Sequence, residues 1–396
     1  MRVAVFGASG LLGATVVQRL RENPQIELRP LIHSTGGAWR LARLGISLET
    51  ADVLKPNEIA ERLRGCTHAV NCTRGPQEVM IQGLQHLLDA CGRSGVQRLV
   101  HISSVSAYGD LKPAENITED HPLRPPHDGY ARIKAQQDRM VDRAMRKGLD
   151  CISLCPPMIT GPHSGFLVEL LRMLRKGTFA FVEEGRFPLP TADVANVAYG
   201  VERALLCAER VPGRVFITDG STPTWKEVVE SLLPLSGREP PLPTMTAQAA
   251  LKLIEATKQK KATIRGAAGH LLSSKVRSAL REDALFARAE ASLKSFAGFL
   301  PKSLLQRLKD GAGGPVVRQR PAGGPKPDRM VLWRQLRRLS FAIDKARGTL
   351  GYDPQVDFPL SMQAFSAWYT THSGVGGENS DLLRQIPADG GGAPAE

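Results

Sequence analysis

The chain has 396 residues, of which 42% are hydrophobic, and a formal net charge of +13. That length is too great for one small domain and suits one large α/β domain with additions, or two domains. No uninterrupted apolar run reaches the roughly 20 residues of a membrane span. The six cysteines form no Cys-x-x-Cys pair and join no His cluster, so reduced thiols are expected and a metal site is not.

In chain order, short apolar runs predict strands at 2–6, 26–32, 46–51, 67–71, 98–103, 150–155 and 214–218. Helical patterns lie between them at 11–22, 37–44, 56–64, 77–94, 129–147 and 193–209. Apolar strands separated by helices imply a parallel sheet covered on both faces. Right-handed crossovers then make the fold a doubly wound α/β sheet. The first strand, RVAVF, starts at the second residue and leaves no room for a signal or transit peptide, so a cytoplasmic protein is expected.

After residue 240 the composition changes. Residues 245–310 are rich in Ala, Leu, Lys and Arg and read as two or three helices. Residues 311–327 are rich in Gly and Pro and read as a mobile loop. Order is expected again over 331–371, followed by a disordered tail. Leu251–Ser340 carries 20 Lys+Arg against 6 Asp+Glu, so the rest of the chain nets −1.

Directly after the first strand comes GASGLLG, residues 7–13. Gly7 allows a tight strand-to-helix turn, Gly10 lets a pyrophosphate approach the backbone, and Gly13 lets the helix pack closely. Ser9, Leu11 and Leu12 complete a phosphate cradle at a helix N-terminus, the fingerprint of a dinucleotide site. The competing reading is a glycine-rich turn with no ligand. An acidic residue after strand two would hold the ribose 2′-OH of NAD. This chain has His33 and Ser34 there, then Arg40 and Arg43, which favours NADP over NAD. Asp52 and Val53, after strand three, are placed at the adenine edge, although Asp52 reads equally as a turn or cap residue.

Tyr130 and Lys134 stand four apart in YARIK. On a helix they share a face. A tyrosine with a pKa near ~10 becomes a usable base when a neighbouring ammonium stabilises its phenolate. The alternative is one aromatic and one solvated cation on a helix surface.

GASGLLG, Asp52, HISSVSAYG (101–109) and YARIK occur in an order that resembles the extended short-chain dehydrogenase/reductase superfamily, which includes NAD(P)-dependent epimerases, dehydratases and 3β-hydroxysteroid-type dehydrogenases. The resemblance covers about 1–230 and resumes at 341–369. It implies a Rossmann domain over 1–230 with a substrate-loop segment at 156–190. A smaller, mostly helical substrate or lid region over 231–372 would follow, with a basic insertion at 245–330 and a tail at 373–396. It further implies a catalytic Ser104, with Ser103 as rival, a catalytic base at Tyr130 and its partner Lys134. Cys72 and Thr73 would line the nicotinamide ribose, and Pro156 and Met158 the nicotinamide. Arg186 would bind a substrate diphosphate, with Arg74 also on the substrate side. Ser106 and His163 are either substrate contacts or, respectively, a strand-end packing residue and a solvated loop histidine. In this chain Cys155 replaces the family's arginine before the Pro loop, and MIQGL (80–84) replaces its Asn-Val-x-Gly-Thr pattern. SVSAY replaces the Thr-Asp-Glu typical of sugar dehydratases, which disfavours 4,6-dehydration.

The implied activity is hydride transfer at a secondary alcohol or ketone, with NADP preferred or NAD as cofactor. Ser104 steadies the substrate oxygen, and a nucleotide-sugar or other diphosphate substrate is favoured. The stretch 293–309, LKSFAGFLPKSLLQRLK, reads as a helical lid or as a basic amphipathic helix on an anionic membrane surface. The second option would suit a membrane-surface 3-oxo-acyl or hydroxysteroid-like ketoreductase. A non-catalytic NADP-binding sensor is the remaining alternative. The partner beyond substrate is a second copy in a homodimer or that membrane surface, not nucleic acid, since aromatics are sparse and no recognition motif occurs.

Overall fold

The protein is described by a computed structural model over residues 1–42, 44–109, 114–125, 129–261 and 327–373. The expected amphipathic stretch 293–309, nearly all of 311–327, Arg43 and the tail beyond 373 lie outside these residues.

The strands of the main sheet are β1 (Arg2–Phe6), β2 (Glu27–Ile32), β3 (Glu49–Thr50), β4 (His68–Asn71), β5 (Arg98–Ile102), β7 (Asp150–Cys155) and β11 (Arg214–Phe216). They lie in the order β11-β7-β5-β4-β1-β2-β3, and every neighbouring pair is parallel. The order reverses at β1, with β2 on one side and β4 on the other. That topological switch point is where open α/β sheets bind ligands.

Both faces are covered, which is why the strands read as continuous apolar runs. Val3 and Val5 point to a face closed by helices α1 (Leu11–Arg21) and α7 (Val194–Leu206), through Val16, Val17, Leu20, Val197 and Val201. Ala4 and Phe6 point to the other face. It is closed by α3 (Pro56–Arg62), α4 (Gln77–Arg93) and α5 (Gly129–Arg146), through Ile59, Leu84, Leu87, Leu88, Met140 and Val141. Each large apolar side chain taken out of water here contributes about 1.5–3 kcal/mol.

Two expectations are corrected. The strand expected over 46–51 is only Glu49–Thr50. The helix expected over 37–44 shrinks to α2 (Trp39–Ala42), preceded by a single 3₁₀ turn at Thr35–Gly37. Glycines at 36, 37 and 45 bracket this segment, and glycine is a weak helix former.

A separate apolar core lies on the C-terminal side. It joins Leu167, Leu170, Leu171 and Leu174 of α6 (Gly165–Lys176) to Val228, Val229 and Leu232 of α8 (Trp225–Ser236). Ala250 and Ile254 of α9 (Ala247–Lys261), Val331 and Leu332 of α10 (Arg329–Gln335), and Met362 and Phe365 of α11 (Phe358–Ser373) complete it. Helices α10 and α11 thus lie in the stretch expected to be ordered at 331–371. Three short parallel pairs tie this side together: β8 (Met158–Thr160) with β10 (Thr191–Asp193), β9 (Phe181–Val182) with β12 (Thr244–Met245), and β6 (Ala114–Ile117) with β13 (Leu339–Phe341). No helix among the described residues is long and apolar enough to cross a membrane.

Candidate active site

The glycine loop follows β1 and opens α1. Gly7 has φ +75, and a Cβ on it would sit 2.8 Å from the Cys72 carbonyl carbon. A Cβ on Gly13 would come within 2.1 Å of the Gly7 oxygen, so only glycine lets α1 pack against the turn. Gly10 is the N-cap and no side chain caps the helix; its first turn carries no acid. Leu12 packs on the core beneath. The loop therefore presents bare helix-terminal N–H groups at a turn that Gly7 and Gly13 hold close. These are the terms on which a pyrophosphate binds.

After β2, His33 and Ser34 are exposed. Arg40 donates to the Ser9 carbonyl oxygen at 3.2 Å and lies 4.3 Å from the Trp39 ring centroid. Burial lowers the Arg40 pKa. Asp52 accepts from Leu54 N at 2.9 Å, so one of its oxygens closes a turn, the plain reading open to it. Val53 is buried beside α4. Beyond β4, both Thr73 N and Thr73 Oγ1 donate to Asn71 Oδ1, at 3.1 and 2.6 Å. Asn71 Nδ2 in turn faces His101 Nδ1 at 3.2 Å. Burial holds the His101 pKa well below its ordinary value, so this ring is neutral.

Ser104 caps the 3₁₀ turn Val105–Tyr108 at the end of β5. Its Oγ accepts from Ser106 N at 3.1 Å and donates to Pro156 O at 3.4 Å. Ser103 is buried and its Oγ makes no hydrogen bond of ordinary geometry. Tyr130, at the start of α5, keeps 41% of its surface open. Its ring lies 5.5 Å from the Arg74 guanidinium and 5.8 Å from Lys134 Nζ. Loss of water around the phenol raises its pKa; the Arg74 charge and the Ser104 hydroxyl oppose that rise.

Lys134 is 3% exposed. Its ammonium donates to Ile102 O and to Gln137 Oε1, both at 2.8 Å, which engages two of its three donors. Gln137 Nε2 then donates to Met80 O at 2.6 Å. Departure from the family pattern at MIQGL thus leaves α4 tied to α5 through a backbone carbonyl. Burial brings the Lys134 pKa down to about 8, with Asp138 opposing.

After β7, Pro156 is buried and Met158 half-buried. His163 departs from the solvated-loop reading. It has φ +63, and its ring meets Trp39 at 5.3 Å, Trp368 at 4.5 Å and His372 at 6.1 Å. This aromatic group bridges the 34–42 loop, the Pro loop and α11. Arg186 is exposed, pairs with Glu183 at 3.1 Å and lies 5.5 Å from the Phe187 ring. Arg338 lies 3.9 Å from the same ring. Nothing local marks Arg338, which is brought to Phe187 by the chain's return after α10. Asp138 and Gln137 were also missed, although both follow Lys134 within one helical turn. Among the described residues no group of His, Cys, Asp or Glu is placed to hold a metal ion.

Several known proteins are similar to this chain. The 4-hydroxy-2-methyl-3-oxo-4-farnesyl-3,4-dihydroquinoline-1-oxide ketoreductase of Stigmatella aurantiaca is 30% identical over 263 residues, 63% of this chain and 78% of that one. The 3beta-hydroxysteroid-dehydrogenase/decarboxylase isoform 1 of Arabidopsis thaliana is 28% identical over 241 residues; the match spans 55% of this chain and just over half (55%) of that relative's length. Among solved structures, UDP-glucuronic acid 4-epimerase from Bacillus cereus in complex with NAD aligns with a TM-score of 0.62 over 94% of this chain and 99% of that one. At 14% identity this is a likeness of fold. The NAD dependent epimerase/dehydratase family matches residues 3–213, more than half of the chain and the whole of the segment that carries the glycine loop, Ser104, Tyr130 and Lys134. The protein is an enzyme of the NAD dependent epimerase/dehydratase family.

Proposed function

We propose that the protein transfers hydride between a nicotinamide dinucleotide and a ring ketone or secondary alcohol, with Tyr130 as acid/base, Ser104 as the donor to the substrate oxygen and Lys134 as the group that tunes Tyr130. One observation carries this reading: Tyr130 and a buried, anchored Lys134 stand one turn apart on α5, beside Ser104 at the C-terminal end of β5. The residues present fit a dinucleotide, since the α1 N-terminus is bare, glycine clears its approach and Lys134 keeps one donor for a ribose hydroxyl. When bound, the nicotinamide supplies the carbon that gives or accepts hydride.

The chain's own residues handle the proton. In reduction, the Tyr130 hydroxyl protonates the developing alkoxide; in oxidation, its phenolate takes the alcohol proton. The Lys134 ammonium stabilises that phenolate across the ring face, and the Arg74 charge acts in the same direction. Ser104 Oγ hydrogen-bonds the substrate oxygen and steadies its charge. Thr73, Pro156 and Met158 would border the nicotinamide end, and Gly7, Gly10 and Gly13 the pyrophosphate. Arg40 and His33 support NADP over NAD, because no carboxylate follows β2.

A ring ketone is favoured because relatives at 28–30% identity are named for a quinoline ketoreductase and a hydroxysteroid dehydrogenase. A second reading, a nucleotide sugar or other diphosphate, is supported by Arg186 and Arg338 converging on Phe187, which suits an anionic substrate group. In that case hydride returns to the same molecule, as in an epimerase. Incubation of the purified protein with NADPH or NADH and a panel of carbocyclic ketones and nucleotide sugars tests the reading. Turnover must occur and must vanish in Tyr130→Phe. Tight NADPH binding without turnover on any of them, unchanged by Tyr130→Phe, would instead make the protein a cofactor sensor.

A further inference from the structure

The face of α5 that carries Tyr130 and Lys134 continues one turn further to Asp138. This side chain is 0% exposed, and neither carboxyl oxygen has a hydrogen-bond partner of ordinary geometry. A buried carboxylate normally caps a helix, pairs with a cation or binds a metal. Asp138 does none of these. Lys134 turns its ammonium to Ile102 O and Gln137 Oε1 instead. Arg214, the other cation within its field, is engaged by Tyr108 OH at 3.1 Å and by Asp142 at 3.3 Å.

The groups facing Asp138 come from every element around it. They are Lys134 and Asp142 on its own helix, Ser103 at the end of β5, Cys155 at the end of β7, Arg214 on β11, Tyr108 in the 3₁₀ turn and Tyr130 at the mouth of the site. In such an interior a charge acts at a distance, because little water screens it.

We propose that Asp138 is a positioning residue for hydride transfer: its buried negative charge keeps Lys134 in the ammonium form and so, through Lys134, sets the acidity of Tyr130. The idea rests on the proposed roles of Tyr130 and Lys134. Its geometry is the shared helical face and the complete burial of the carboxyl, which the Ser103 hydroxyl at the end of β5 supports. The titration behaviour agrees. Burial pushes the Asp138 carboxyl up to about 6, opposed first by the Ser103 hydroxyl and then by the Arg214 and Lys134 charges, and the Lys134 ammonium down to about 8, opposed first by the Asp138 charge. Both are therefore charged together only in the window between these values. Below it Asp138 takes up a proton and Lys134 loses its counter-charge.

The test follows the Lys134 resonance in full-length protein labelled with ε-¹³C-lysine, assigned by its loss in Lys134→Met. In Asp138→Asn the Lys134 midpoint should fall by about one pH unit, and Asp138→Glu should restore it. The alkaline limb of kcat, measured with NADPH and a carbocyclic ketone that the wild type turns over, should move by the same amount, while the substrate KM changes less than twofold. A Lys134 midpoint unchanged in Asp138→Asn overturns the proposal, as does a limb that fails to follow the midpoint. Should Asp138→Asn not fold, the wild type alone decides. Its Lys134 resonance must show a second, smaller step near the Asp138 midpoint of about 6, and a single-step curve is the contrary result. If Tyr130→Phe keeps full turnover, the hydride-transfer reading itself fails. If Tyr130→Phe is dead and the Lys134 midpoint ignores Asp138, only the role of Asp138 fails.

Discussion

Lys134 Nζ donates to the Ile102 carbonyl oxygen at 2.8 Å, which pins the α5 lysine to the end of the strand that leads into Ser104. The Ser104 segment and the helix that carries Tyr130 and Lys134 are thereby one unit, and the lysine cannot swing away as a solvated surface cation would. Lys134 is therefore not the solvated surface cation that YARIK could also have held.

Its energetic consequence is a pH-dependent stability. The folded-state Lys134 pKa, about 8, lies below the unfolded value of roughly 10.4. The cost of burying the ammonium is fully present below the folded value and is relieved as pH rises through the unfolded one. Lys134→Met should remove that slope. Urea unfolding should show the variant's stability relative to wild type falling by about 2–3 kcal/mol between neutral pH and a pH above the unfolded value. Turnover should fall at every pH.

Arg40 donates to the glycine loop itself, through the Ser9 carbonyl. Arg40→Ala should raise the KM for NADPH about tenfold and leave that for NADH within twofold, since one charge-assisted contact to a phosphate is worth about 1.5–3 kcal/mol. Equal effects on the two cofactors would mean that Arg40 supports the loop and does not select the 2′-phosphate.

A methyl group on Gly13 would meet the Gly7 oxygen at 2.1 Å. Gly13→Ala must therefore lift α1 from the turn, at a cost of about 1–3 kcal/mol. The variant should melt at lower temperature and bind NADPH at least tenfold more weakly by fluorescence titration. Loss of stability with unchanged cofactor affinity would show that the cradle tolerates the displacement.

Arg186→Ala and Arg338→Ala discriminate between the substrate readings. If a diphosphate substrate is used, each should raise its KM by about 10- to 100-fold with little change in kcat. If a ring ketone is used, both variants should behave like wild type toward it.

Much of this was legible in the chain. Six of the seven main strands could be read because each is a short, largely apolar run between helical periods; β3, only Glu49–Thr50, is not such a run. The glycine turn could be read because it lies between a strand and a helix, and the Tyr130–Lys134 pair because residues four apart share a helix face; Ser104 was singled out by the resemblance alone. Pairs such as Phe181–Val182 with Thr244–Met245 could not, since two residues carry no period. Arg338 reaches the ring beside Arg186 only through tertiary folding. His163 was read as a loop residue, and nothing local announces Trp39 and Trp368 as its neighbours. Asp138 lay in view four residues after Lys134, yet an acid four from a lysine on a helix ordinarily reads as a surface pair; its complete burial made it significant.

The most direct test of hydride transfer through Tyr130 is a single-turnover measurement of nicotinamide absorbance, with NADPH-loaded protein mixed with a ketone or nucleotide sugar that the wild type turns over. Tyr130→Phe should bind the cofactor as the wild type does and transfer hydride roughly 10²–10⁴-fold more slowly. A Tyr130→Phe rate within a few-fold of wild type, with cofactor binding intact, would contradict the assignment of Tyr130 as the acid/base.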